Sequence, residues 1–261
     1  MAEGDPAEQE VSSEPRMTLG EHLEELRKRI IRAVLGLLVT TVLGMCFARE
    51  LLRMLERPYV LVMKGYGLQP LLQALDGWTG LGIWMKVAVY AGLVVASPWV
   101  FYQLWMFVSA GLRAREKRYV TQAVPWSAGL FITGAAFFLA VASRPLLYSL
   151  IGFNVWLGIE TRITIENYVD FITNLMVIFG LAFQLPLVIY MLGLMGIVNS
   201  QRLRKYRRHV IVGIFVFAMM FTSPSGIDQV CLAIPMCLLY EAGLLMVYLR
   251  ERKMKKKEQP G

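Results

Sequence analysis

GEHLEELRKRIIRAVLGLLVTTVLGMCFA, residues 20–48, begins as a polar helix and ends as a membrane span. Thr18 followed by Glu21 fits a capping box, which places a helix start near Thr18. Leu19, Leu23, Leu26 and Ile30 then form one stripe, while Glu21, Glu25 and Lys28 or Arg29 point another way. Glu24 to Lys28 and Glu25 to Arg29 have the four-residue spacing of helix-surface ion pairs, each stabilising by about 0.2–0.5 kcal/mol. From Ile30 the sequence turns apolar, and the same helix is expected to run into lipid.

The rest of the chain repeats that hydrophobic theme. Of its residues 56% are hydrophobic and 18% charged, too apolar a balance for a soluble domain of 261 residues. Further apolar runs cover 80–110, 119–143, 168–197, 209–224 and 228–249. The expected fold is therefore an all-α integral membrane protein with six transmembrane helices. The second and fourth runs are long and carry Pro98 and Pro186, residues able to bend them. The fifth, at 1.5 Å per residue, covers only about 24 Å, so the fifth and sixth helices form a short hairpin.

Lys and Arg set the orientation. Arg27, Lys28 and Arg29 precede the first run, Arg113, Arg115, Lys117 and Arg118 follow the second, and Arg202, Arg204, Lys205, Arg207 and Arg208 follow the fourth. The opposite loops hold fewer: Arg49, Arg53, Arg57 and Lys64, then Arg144 and Arg162. Both termini are thus expected in the cytoplasm. In the first outer loop, 49–79, ARELLRMLERPYVLVMK reads as an amphipathic surface helix broken by Pro58. Loop 144–167 reads as irregular or partly helical. Residues 1–17 are expected to form a disordered cytoplasmic tail, 18–250 the membrane domain, and 251–261 a basic tail suited to anionic lipid rather than nucleic acid. No internal repeat is evident.

Chemical signatures are missing. There is no phosphate-binding GxxxxGK[ST], no HExxH, no GxSxG and no CxxC, so neither an enzyme nor an ATPase is expected. The odd set Cys46, Cys231 and Cys237 reads as packing residues, and two histidines, His22 and His209, cannot build a metal cluster. No cofactor or metal is expected. What stands out is polar groups at the membrane: Glu25 and Glu116 at one surface among many cations, and Gln184 and Glu241 at depth. Two carboxylates among fixed cations can capture a basic peptide. Polar side chains within spans are costly and tend toward function, although Gln184 could also simply bond neighbouring backbone.

HLEELRKR before the first span, YQLWMF and the charged loop around Glu116, FGLAFQLPL in the fourth and LAIPMCLLYE in the sixth together resemble the TatC family, the multispanning subunit of the twin-arginine protein translocase. The resemblance runs from Thr18 to about Arg250. It implies recognition of signal peptides bearing paired arginines and export of folded proteins across the bacterial inner membrane, driven by the proton-motive force. It implies as partners those signal peptides, single-span TatA- and TatB-type subunits, membrane lipid and further copies in a receptor complex. By resemblance, Glu25 and Glu116 contact the signal's arginines, with Arg27 and Gln103 beside them, and Pro58, Gln184, Pro186, Asp228, Gln229 and Glu241 serve structure or partner binding. Three departures are visible: Gln184 stands where the family often has glutamate, TSPS replaces TPPD with the acid displaced to Asp228, and the tyrosine often found near Leu139 is absent. The competing functions are a proton- or ion-coupled secondary transporter of a small solute, which predicts matching broken helices in two halves, and a scaffold that gathers single-span proteins.

Overall fold

The computed structural model describes residues 19–110, 117–221 and 226–258. They form six helical rods. The first is α1, Leu19–Gly65; the second is α2, Thr79–Ala110. The third runs through α3, Lys117–Phe137, a π-helical turn at Phe138–Ala142, and α4, Ser143–Trp156. The fourth is α5, Ile165–Ala182, followed by α6, Leu185–Leu194; α7, Ser200–Phe221, and α8, Gly226–Glu258, complete the set. Five rods are long and apolar enough to cross a membrane, and α7 falls short because its first half, SQRLRKYRRH, is too highly charged.

Proline shapes these rods in three ways. At Pro186 the fourth rod is interrupted, as its sequence suggests: Phe183 and Gln184 form a turn, and Pro186 sits in the first turn of α6, where its missing N–H is harmless. At Pro145 the third rod carries its π-turn immediately upstream. The proline then lies in the first turn of α4, and the helix continues to Trp156, so the segment 144–167, expected to be irregular or partly helical, is helical over its first half. At Pro58 the expectation is corrected. The helix does not break there: α1 is continuous from Leu19 to Gly65, about 70 Å at 1.5 Å per residue. Pro58 is buried against the bundle, and the Tyr168 hydroxyl donates to the Leu55 carbonyl at 2.6 Å, bracing the weakened turn from outside the helix.

The rods pack through small residues and aromatic girders. A Cβ on Gly44 would lie 2.8 Å from the Ala88 carbonyl oxygen, and one on Gly92 would lie 2.8 Å from the Thr41 backbone, so α1 and α2 approach to backbone contact. Trp99 donates to the Arg32 carbonyl at 2.9 Å, Thr40 to the Gly92 carbonyl at 2.9 Å and Trp84 to the Met45 carbonyl at 3.2 Å, stitching the pair along its length. The main core is centred on Tyr59, Phe138, Leu147, Tyr168, Ile172 and Phe179. A second cluster, with Phe101, Trp105, Phe131 and Leu187, fills the space between α2, α3 and α6.

Two ties lie at opposite ends. A two-residue parallel pairing, Leu72 with Ile163 and Gln73 with Thr164, joins the loops after the first and third rods. At the other end, the Glu251 carboxylate accepts from the Ser200 N–H at 2.9 Å and from the Ser200 hydroxyl, while Arg250 donates to the Gly193 carbonyl at 2.5 Å. The stretch expected as a polar tail is therefore helical as far as Glu258, and its start clasps the turn between α6 and α7.

Candidate functional site

Where the first turns of α1 meet the last turns of α2, the structure assembles a polar cluster. Both Arg29 Nε and Nη2 lie 2.6 Å from a single oxygen of Glu25, Oε1, and Arg29 Nη1 donates to Gln103 Oε1 at 3.2 Å. The Glu25 and Arg29 side chains are only 24% and 15% exposed, and Gln103 is buried. Glu25 and Arg29 are thus partly withdrawn from solvent, whereas Glu24 and Lys28 meet at 2.8 Å in the open, where a pair contributes little. One turn before Glu25, the His22 ring stacks on Phe107 with centroids 4.5 Å apart, fixing the crossing of the two helices.

Both ion pairs expected from spacing are thus present. Glu25 and Gln103 are brought to one place, with Arg29 as the link between them. Arg27 is exposed, whereas Arg29 bonds both Glu25 and Gln103, so the cation at the centre of the cluster is Arg29. Spacing alone shows Arg29 facing Glu25; its reach to Gln103 on another helix has no local signature. Glu116 lies outside the described residues.

The remaining candidates are distributed through the bundle. Gln184, at the break in the fourth rod, is buried and donates to the Ser127 carbonyl at 2.9 Å; Trp105 donates to the Ser127 hydroxyl at 2.6 Å. The amide is therefore spent at least partly on backbone of α3, and Ser127 and Trp105 emerge as its companions. Glu241 finds its cation in Arg207 of α7, with Nε 2.5 Å from Oε1, although that oxygen has no aligned hydrogen bond. Gln229 donates to the Phe215 carbonyl at 2.9 Å and ties α8 to α7. Asp228 lies in the first turn of α8 and Pro186 in that of α6. Among the described residues no three His, Cys, Asp or Glu side chains gather in a way that could hold a metal ion.

Known proteins share this architecture. The family model for the Sec-independent protein translocase protein TatC matches residues 21–235. A Sec-independent protein translocase protein TatC from Aquifex aeolicus is 32% identical over 240 residues, which cover 92% of this chain and 98% of the relative. Another, from Desulforapulum autotrophicum, is 32% identical over 237 residues, 89% of this chain and 84% of the relative. Among solved structures, a crystal structure of the twin arginine translocase receptor TatC superposes with a TM-score of 0.74 at 31% identity, covering 88% of this chain and 99% of the other. A second, of the same receptor in DDM, gives 0.76 at 31% identity, with 87% and 99% covered. With most of the chain matched in sequence and in fold, the protein belongs to the TatC family of Sec-independent protein translocase proteins.

Proposed function

We propose that this chain receives twin-arginine signal peptides at the surface where α1 begins and α2 ends. The observation that carries the reading is the state of Glu25. Its carboxylate is largely withdrawn from water, and among the described residues Arg29 bonds it through Oε1. A half-buried carboxylate approached on one oxygen retains acceptor capacity for an arriving guanidinium, and arginine's planar fork suits it where lysine's point charge does not. Glu116 supplies the second carboxylate of the receptor, Gln103 backs the first through Arg29, and Arg27 lies exposed on the same stretch of α1.

In this reading both termini face the cytoplasm of a bacterium, on the side richest in Lys and Arg, and the protein acts in the inner membrane. It works with TatA- and TatB-type single-span subunits and with further copies of itself, and the proton-motive force drives export of folded cargo. Gln184, Pro186, Asp228, Gln229 and Glu241 shape the faces that such partners meet.

The test is binding of a synthetic twin-arginine signal peptide to the purified full chain. Glu25→Ala and Glu116→Ala are each expected to weaken binding about tenfold or more, since a charged hydrogen bond is worth about 1.5–3 kcal/mol. Unchanged affinity in the folded double variant refutes the assignment. A crosslink from position 25 to the peptide's arginine region is the positive counterpart.

A further inference from the structure

The end of α1 opposite the proposed peptide site carries arginines that topology does not explain. The bias of basic residues toward one side of the membrane leaves Arg49, Arg53, Arg57 and Arg144 on the disfavoured side. Three of them share one crevice. Arg53, Glu56, Arg57, Val60 and Leu61 of α1 and Arg144 of α4 line a cavity of about 470 Å³. Arg53 reaches Glu50 only at 3.8 Å and in the open. Among the described residues Arg57 and Arg144 have no ion-pair partner, and Glu56 is the one carboxylate lining the crevice.

The depth of this crevice is set by the sequence. The apolar run of α1 ends at Ala48 and that of the third rod at Ser143, so Arg144 stands directly past one apolar belt and Arg53 about 8 Å past the other, with Arg57 one turn further out. That is the level at which a bilayer places its phosphates. Below them on α1, Leu35, Val39 and Val42 are 56%, 63% and 61% exposed. Together with Cys46 they lead, by steps of three or four residues, along the face that ends in Arg49, Arg53 and Arg57. A bare apolar stripe capped by guanidinium groups has the complementary shape and charge of an anionic amphiphile.

We propose that this crevice binds the headgroup of an anionic phospholipid, with Arg53, Arg57 and Arg144 on its phosphate and an acyl chain lying along Cys46 and Val42, within one leaflet of the arginines. Guanidinium groups grip phosphate in forked geometry, and convergence from two helices distinguishes a site from general surface attraction. The lipid thereby bridges α1 and α4 beyond the membrane belt. The inference rests on the membrane placement of the rods and does not require the signal-peptide reading.

The full chain is to be reconstituted with phosphatidylglycerol or phosphatidylcholine, extracted gently, and its retained lipids counted by native mass spectrometry. Wild type is expected to retain phosphatidylglycerol at least tenfold over phosphatidylcholine, and the triple variant Arg53→Gln, Arg57→Gln, Arg144→Gln to lose most of that preference. A control triple variant at Arg202, Arg204 and Arg208 should keep it. Inorganic phosphate in excess should not displace the lipid; displacement would assign the arginines to free phosphate and overturn the proposal. Equal retention by wild type and the crevice variant also overturns it, leaving the arginines for an acidic segment of a partner. If the triple variant does not fold, a photoreactive residue at Leu61 in the otherwise unaltered chain decides the matter. Adducts with phosphatidylglycerol must exceed those with phosphatidylcholine about tenfold, and equal yields refute the site.

Discussion

Arg29 occupies the carboxylate that the proposed ligand needs. Its guanidinium lies 2.6 Å from Glu25 Oε1 by two nitrogens and also reaches Gln103, so it both orients Glu25 and competes for it. Competition should dominate, because removing a fixed cation also lowers the repulsion felt by a doubly charged peptide. Arg29→Gln is therefore expected to tighten binding of a twin-arginine peptide a fewfold, opposite in sign to Glu25→Ala. Titration of the two variants with labelled peptide at one ionic strength checks this, and weaker binding by Arg29→Gln would make Arg29 a positioning residue only. The residue scale is also where sequence reasoning was most uneven. The Glu25 to Arg29 pair follows from a spacing of four on a helix, whereas the contact to Gln103 spans 74 positions and depends on how two helices cross. Likewise Glu241 could be seen to need a cation, but Arg207 becomes its partner only through the packing of α7 on α8.

Within the elements, local propensity was overruled by neighbours. Pro58 carries the usual signal for the end of a helix, yet α1 passes through it, because Tyr168 of α5 supports the adjoining turn and tertiary burial holds the segment in place. Tyr168→Phe removes that buried hydroxyl bond and is expected to destabilise the protein by about 1 kcal/mol, read as a lowered midpoint of thermal unfolding in detergent. An unchanged midpoint would mean that packing alone carries α1 past the proline. The contact of α1 with α2 is a second case. Apolar runs announce that two helices exist, but hydropathy says nothing about which faces meet; in lipid that is decided by small residues. A Cβ at position 92 would fall 2.6 Å from the Thr41 hydroxyl oxygen and 2.8 Å from Thr41 backbone atoms, which cannot rotate aside. Gly92→Val is therefore expected to cost about 1–3 kcal/mol or more, the range for overpacking, and to lower the yield of folded protein. A variant as stable as wild type would show that the two helices separate without penalty.

For the molecule as a whole, hydropathy was sufficient for six rods in order along the chain, since lipid permits only internally bonded helices of a minimum length. What it could not supply was the ties at the rod ends, such as the pairing of Leu72 with Ile163 or the clasp of Glu251 on Ser200, which join loops far apart in sequence. The most consequential whole-molecule feature is the shortness of the fifth rod. Its charged half ends at His209, and from Val210 to Phe221 the helix rises only about 18 Å, against a hydrocarbon core of about 30 Å. Gln229 bonds the Phe215 carbonyl, so the start of α8 is held beside α7 rather than extending past it. The tip, residues 222–225, lies outside the described residues; beside α7 itself either the bilayer thins or the hairpin sits below the membrane surface. Both outcomes lower the barrier to a polar chain passing nearby. Inserting four leucines after Phe217 adds about 6 Å of helix and should abolish that thinning. Export of a folded reporter is expected to fall severalfold while signal-peptide affinity, which the proposed site around Glu25 would set, stays within twofold. Full export by a correctly inserted variant would make the short helix incidental to transport, and an equal loss of peptide binding would place its effect on folding instead.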